Sequence, residues 1–313
     1  MLKNYAIKKI MLSSIALLIL TILYFFPKED KSLKIPTTVN LRETDKSVIY
    51  LIDKNDYVAR TNIIDNNKDT INTIKYLISC LTINSNNQIY LPYGFSPIIP
   101  PNTKIIDLSL ENGLLKINFS KEILNINASD EEKLLESLIY TLTSIKGVES
   151  IMIFVENELL NTLPNSQKQL STTLDKSYGI NKIYNIESIK NTTQVTTYYL
   201  SKNNDNYYYV PITTVSNEET EKVEIIIEQL KSKPITKTNL IGFLHANAEL
   251  EDYEILNNTI NLSFNNYLLN DIENETILEE VKYAIAYSIS DTYGIDSINY
   301  IIDNKKIDGL TLN

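Results

Sequence analysis

The segment Gly147-Val-Glu-Ser-Ile-Met-Ile-Phe-Val-Glu-Asn157 is written a second time as Gly294-Ile-Asp-Ser-Ile-Asn-Tyr-Ile-Ile-Asp-Asn304. Each copy opens on glycine, which ends a helix cheaply because no Cβ opposes left-handed backbone. A small polar cluster follows, then a run of apolar and β-branched residues, then an acidic residue and Asn. That order describes a strand entered from a helix and left through a tight turn. The duplication predicts two related domains in tandem, and 313 residues suffice for two separate cores.

The flanking sequence repeats in the same order. In the first copy Val48–Asp53 and Tyr57–Ala59 make a hairpin around Asp53-Lys-Asn-Asp56. That turn is not a calcium loop, since position six is not Gly and position twelve, Ile64, is not acidic. Asn67 or Asp69 can cap a helix with Ile71, Ile74, Leu77, Ile78 and Leu81 at helical spacing. Two alternating strands follow a proline-rich loop, joined at Glu111-Asn-Gly113. Ser129-x-x-Glu132 reads as a capping box ahead of a helix that runs into Gly147.

In the second copy Thr197–Leu200 and Tyr207–Val210 supply the hairpin. Ser216-x-x-Glu219 reads as another capping box, and Gly242-Phe243 answers Gly94-Phe95. Thr259–Asn265 answers Leu114–Ser120, and a helix from about Glu273 to Ile289 leads into Gly294. The expected fold class is therefore α+β, two tandem repeats, each a small sheet with two helices packed on one face. The domains are residues 47–160 and 195–313, with a polar connector at 161–194 holding one short added strand.

Lys3, Lys8 and Lys9 precede the uncharged run Ile10–Phe26. Seventeen residues is the short end of a membrane span. The lysines favour a cytoplasmic N-terminus, and the terminal aromatic cluster suits the far interface. No small-x-small cleavage site follows, so residues 1–26 read as an uncleaved signal anchor and transmembrane helix rather than a signal peptide. Residues 27–46 read as a tether, with the bulk of the chain extracytoplasmic.

Composition narrows the function classes. A net charge of −10 and a pI near 4.8 oppose a phosphate-tracking nucleic-acid binder. The single cysteine, Cys80, cannot form an internal disulfide and reads as a buried, inert thiol on the first helix. The single histidine, His245, lacks the companions of a zinc or thiol site. The acidic group Glu249, Glu251 and Asp252 reads as a solvated loop or strand edge rather than a glycosidase pair. Seven scattered glycines make no phosphate loop. Neither catalysis nor any metal or cofactor is expected.

Tyr50-Leu-Ile-Asp-Lys-Asn-Asp-Tyr57, Leu91-Pro-Tyr-Gly-Phe95, Asn118-Phe-Ser-Lys121, Tyr198–Lys202 and Tyr207–Pro211 resemble the GerM family of sporulation and germination proteins. So does the connector segment Leu174-Asp-Lys-Ser-Tyr-Gly-Ile-Asn181, and the resemblance is collinear from about residue 47 to the end. It implies a non-enzymatic envelope protein of endospore formers with two GerM domains of the ring-building type. It also implies partners among sporulation envelope-complex proteins, in the space between mother cell and forespore membranes. The best-known members carry a lipid-attachment cysteine after the signal sequence, and this chain has none there.

Tyr198, Tyr199, Tyr207, Tyr208 and Tyr209 lie on two arms of one hairpin and form the candidate interaction surface. Outward-facing rings would stack on peptidoglycan sugars or anchor a protein. Packing of these rings inside the fold is the competing reading.

Overall fold

The computed structural model describes residues 46–204, 206–232 and 239–312. The run Ile10–Phe26 and the tether up to residue 45 lie outside them. No helix among the described residues is long and apolar enough to cross a membrane.

In the first repeat β1 (Lys46–Asp53) and β2 (Val58–Ile64) form the expected hairpin. Asp53 shapes its turn, its Oδ1 accepting the amides of Asn55 and Tyr57 at 2.8 and 2.9 Å. Helix α1 (Thr70–Leu81) is capped by Asp69, whose Oδ1 accepts the Asn72 amide at 2.9 Å. It buries Ile74, Leu77, Ile78 and Leu81. After the short β3 (Phe95–Ser96), β4 (Ile105–Glu111) and β5 (Leu114–Phe119) turn through Asn112-Gly113, both at positive φ. Helix α2 (Glu131–Leu142) then crosses to β6 (Ser150–Val155), which lies parallel to β5. A strand–helix–strand crossover gives that parallel pairing. Glu156 and Asn157, both at positive φ, reverse the chain into β7 (Glu158–Leu159), completing a sheet of order β4-β5-β6-β7.

The connector contributes β8 (Ile183–Asn185). The second repeat then runs β9 (Thr193–Asn203), β10 (Asn206–Ser216), α3 (Lys222–Lys231), β11 (Leu250–Leu256) and β12 (Thr259–Phe264). Helix α4 (Glu279–Tyr293), β13 (Ser297–Ile302) and β14 (Lys305–Thr311) complete it, in a sheet of order β11-β12-β13-β14. The duplicated strands are β6 and β13. Ile151, Ile153 and Val155 alternate inward on one, and Ile298, Tyr300 and Ile302 on the other.

Four local expectations need correction. Neither capping box forms. The residue preceding α2 is Asp130, with no side-chain cap, and Glu132 is drawn instead to Lys168 and Lys182 at 2.8 and 3.1 Å. Ser216 is still in β10, and α3 starts six residues later without a side-chain cap. Helix α4 starts at Glu279 rather than Glu273, because Asp271 closes a turn over Asn274 first.

The fourth correction concerns layers. The repeats do not each place two helices on one face of one sheet. Helix α2 is buried continuously from Leu134 to Leu142, including Glu136, Ser137 and Thr141. Thr141 Oγ1 accepts the Tyr50 amide of β1 at 2.9 Å on one side. Leu134 and Leu138 face Ile153 of the four-stranded sheet on the other. Burying one such leucine contributes roughly 2 kcal/mol. The helix is thus enclosed between two layers rather than laid on one.

The hairpins of the two repeats join. β2 pairs antiparallel with β10 through Arg60 and Tyr209, giving a sheet of order β3-β1-β2-β10-β8 with β9 on the other edge of β10. One edge of β10 is divided between β2 and the connector strand β8, which runs parallel to it.

Candidate functional site

The seam between the repeats concentrates the buried polar chemistry. Tyr50 and Tyr198 occupy matching positions. The Tyr50 amide donates to Thr141 Oγ1, and the Tyr198 amide donates to Ser288 Oγ at 2.8 Å. Their hydroxyls meet at 2.7 Å. Tyr198 also donates to Asp291 Oδ2, and an ionised carboxylate only accepts, so Tyr50 is the donor in the tyrosine pair. Asp291 Oδ1 takes Lys176 Nζ from the connector at 2.6 Å. Tyr140 packs edge-on to Tyr50 and Tyr287 tilts against Tyr198, each with ring centroids 5.4 Å apart. The Arg60 guanidinium sits 3.9 Å over Tyr287.

Burial raises the Tyr198 and Tyr140 hydroxyl pKa well above the phenol range, and Asp291 adds to it. Burial disfavours the Lys176 charge, yet Asp291 outweighs it and leaves the ammonium pKa raised. These hydroxyls therefore remain protonated donors at neutral pH, unsuited to nucleophilic work. Neither the open groove along α1 nor the closed apolar space under α2 reaches them. The arrangement is a clasp.

The connector supplies a second clasp. Asn181 Nδ2 donates to the Val58 and Pro211 carbonyls, both at 2.8 Å, and its Oδ1 accepts the Val58 amide at 3.0 Å. One side chain thus bridges β2 and β10 where proline has no amide to offer. The Asn181 amide donates to Glu136 Oε2, and Lys182 pairs with Glu136 Oε1 at 2.8 Å. Burial still pushes the Glu136 carboxyl upward against that lysine.

The hairpin tyrosines are mostly interior, which corrects the surface reading. Tyr198 is in the seam. Tyr199 is buried on the opposite face of the central sheet. Tyr208 is buried there too, donating to Asp53 Oδ2 at 2.8 Å and meeting Phe95 edge-on at 5.0 Å. Tyr209 is half-buried against Tyr287 at 5.2 Å. Tyr207 alone of the five is exposed, at 42%, with its ring against Phe243. Both faces of this hairpin are covered, one by α4 and one by loops, so strand alternation yields no outward tyrosine row.

Cys80 is fully buried, and burial pushes its thiol up to about 11. His245 is exposed, accepts the Asn247 amide at 3.1 Å and stacks on Tyr267. Glu249, Glu251 and Asp252 are all exposed at the start of the edge strand β11. Among the described residues no three metal-ligating side chains converge.

Comparison with known proteins follows the same lines. Residues 23–161 match the family described as Germane: Sporulation and spore germination. The spore germination protein GerM of Bacillus subtilis (strain 168) is 26% identical over 265 residues, covering 82% of this chain and 71% of that one. The chain is thus similar to the GerM family, the family match falling on the first repeat. The solved tandem GerMN domains of the sporulation protein GerM from Bacillus subtilis share the fold. Their TM-score is 0.76 at 24% identity, over 86% of this chain and 96% of that one. The arrangement is thus that of tandem GerMN-like domains of mixed sheets with four helices among the described residues.

Asn181 and Lys176 fall in the connector motif that carried part of the resemblance. Reading that motif as linker missed them, together with Arg60 and Asp291. The only signal was a polar run interrupted by isolated isoleucines.

Proposed function

We propose that this chain acts as a member of the GerM family, a membrane-anchored extracytoplasmic scaffold in sporulation and subsequent germination. It supports assembly of a transenvelope complex between mother cell and forespore. Ile10–Phe26 holds it in the membrane, and its partners are other envelope-complex proteins, some with similar ring-building domains.

The observation that carries the reading is the seam. Tyr50, Tyr198, Asp291 and Lys176 lock two repeats and their connector into one body, and β2–β10 pairing continues one sheet through both. A part that fixes spacing between other components benefits from such rigidity, whereas a hinged receptor or enzyme does not need it. The peptidoglycan-binding alternative depended on the tyrosine hairpin. It retains only Tyr207 of the five as an exposed ring.

The test is crosslinking and pull-down of the full-length chain from its sporulating host. Recovery of channel-complex proteins is the expected result. Uniform membrane distribution with no such partner overturns the scaffold reading.

A further inference from the structure

An open groove of 560 Å³ runs between α1 and the outer edge of β4. Lys75, Ile78, Ser79 and Thr82 line its helical side, a spacing that forms one continuous helix stripe. Ile105 and Leu108 line the other side, with Lys104 at the entry to β4.

β4 is an end strand, paired with β5 alone. The backbone groups on its other edge are a ready template for one more strand. Helix α1 closes the far side of the groove, so a strand already backed by its own sheet would collide with the helix. A single extended segment fits between them. This is strand addition beside a helix, where main-chain bonds give affinity and pockets for alternate side chains give selectivity. The volume lies within the range of ordinary ligand sites.

Chemistry narrows the ligand. Ile78, Ile105 and Leu108 offer apolar contacts. The bulge between Ile105 and Asp107 leaves Ile106 about half exposed at the groove mouth. Lys75 and Lys104 are both exposed in the groove, whose lining holds one carboxylate, Asp107, while Glu122 near Lys104 is matched by Lys121. That local excess of positive charge is an exception in a chain of net charge −10. The second repeat has the same edge and bulge at Leu250/Asp252 but places Glu249, Glu251 and Glu254 there. The basic groove belongs to the first repeat.

We propose that the groove between α1 and β4 binds an extended partner segment in which apolar residues alternate with acidic ones, by strand addition to β4. This rests on the groove itself and stands whether or not the scaffold reading does.

The experiment uses the full chain in detergent and a fluorescein-labelled heptapeptide, glutamate-valine-glutamate-isoleucine-aspartate-valine-glutamate. Anisotropy measures binding, and hydrogen exchange follows the amides of residues 105–108. Saturable binding with protection of those amides is expected. Replacing the acidic positions by lysine, or Lys75→Glu with Lys104→Glu in the protein, weakens affinity roughly tenfold or more. Ser79→Trp fills the groove and abolishes binding, while circular dichroism of the lysine double variant stays unchanged.

The proposal is overturned by an absence of saturable binding or by equal affinity for the lysine peptide. Undiminished binding of a peptide N-methylated at alternate residues overturns it too. Binding that appears only after deletion of residues 27–45 assigns the groove to the chain's own tether and overturns it. So does concentration-dependent self-association abolished by the same substitutions, which assigns the groove to a second copy.

Discussion

Asp291 of α4 holds Lys176 of the connector at 2.6 Å, and its other oxygen takes the hydroxyl of Tyr198. Its side chain is only 4% exposed. Asp291→Ala removes the counter-ion of a mostly buried lysine and the acceptor of a buried hydroxyl, so a loss of about 3 kcal/mol is expected. Urea denaturation measures it. The raised Lys176 pKa makes the pair's contribution fully present below the unfolded amine pKa near ~10.4 and lost as pH climbs through the folded value. The alanine variant lacks that alkaline decline, and an unchanged decline would remove Lys176 as its source.

Tyr50→Phe leaves the Tyr198 oxygen without its donor and costs about 1 kcal/mol. Tyr198→Phe strips a donor from Asp291 and an acceptor from Tyr50, and costs about 2 kcal/mol. Because the pair touches directly, the double variant costs less than the sum, with a coupling of about 1 kcal/mol. Strict additivity would show that the hydroxyls do not interact in solution.

Glu131 is buried at the start of α2 and accepts the amides of Asn165 and Ser166 at 2.7 and 2.8 Å. Burial pushes its pKa up, but those hydrogen bonds outweigh it and hold the carboxyl below the ordinary range. Its stabilisation is therefore present above the unfolded pKa near ~4.3 and lost as pH falls through the lower folded value. Urea midpoints between pH 5 and pH 2.5 should fall more steeply for the native chain than for Glu131→Gln, which starts lower at pH 5.

Gly94 and Gly242 answer each other in sequence and serve different needs. Gly94 has φ +86°, a left-handed conformation costly for other residues. A Cβ at Gly242 would lie 2.4 Å from the Leu230 carbonyl oxygen, in backbone that cannot swing aside. Gly242→Ala should destabilise by about 1–3 kcal/mol through overpacking. A thermal midpoint equal to the native one would show that α3 ends further from this loop.

Tyr199→Ala opens the buried face of the central sheet and should cost about 3 kcal/mol. Tyr207→Ala, at the exposed end of the same hairpin, should cost less than about 1 kcal/mol. Equal losses would mean that the hairpin is not covered as described.

These contrasts show where the sequence was legible. Periodicity located α1, and the alternation of Ile151, Ile153 and Val155 oriented β6, because each pattern reports one local element against one apolar layer. The enclosure of α2 was not legible. Ser137 and Thr141 mark it as amphipathic, and only the second sheet explains why they are buried. Tyr198 and Tyr208 looked alike in sequence, yet one faces α4 and the other Asp53. That difference depends on β2 pairing with β10, a contact between residues about 150 positions apart. Asn181 was hidden for the same reason, since its partners Val58 and Pro211 come from different repeats.

In a twofold homodimer, a residue beside the axis touches its own counterpart in the other subunit. Tyr50 and Tyr198 do this within one chain, each held by a hydroxyl six positions ahead of its repeat's glycine. The protein is in effect a dimer with its subunits joined by the connector. Dilution cannot separate them, because the linkage replaces a bimolecular association by an intramolecular one. The joining also freed the halves to diverge, so that an aspartate stands at position 291 where the first repeat has Ser144. A true homodimer would carry both changes or neither.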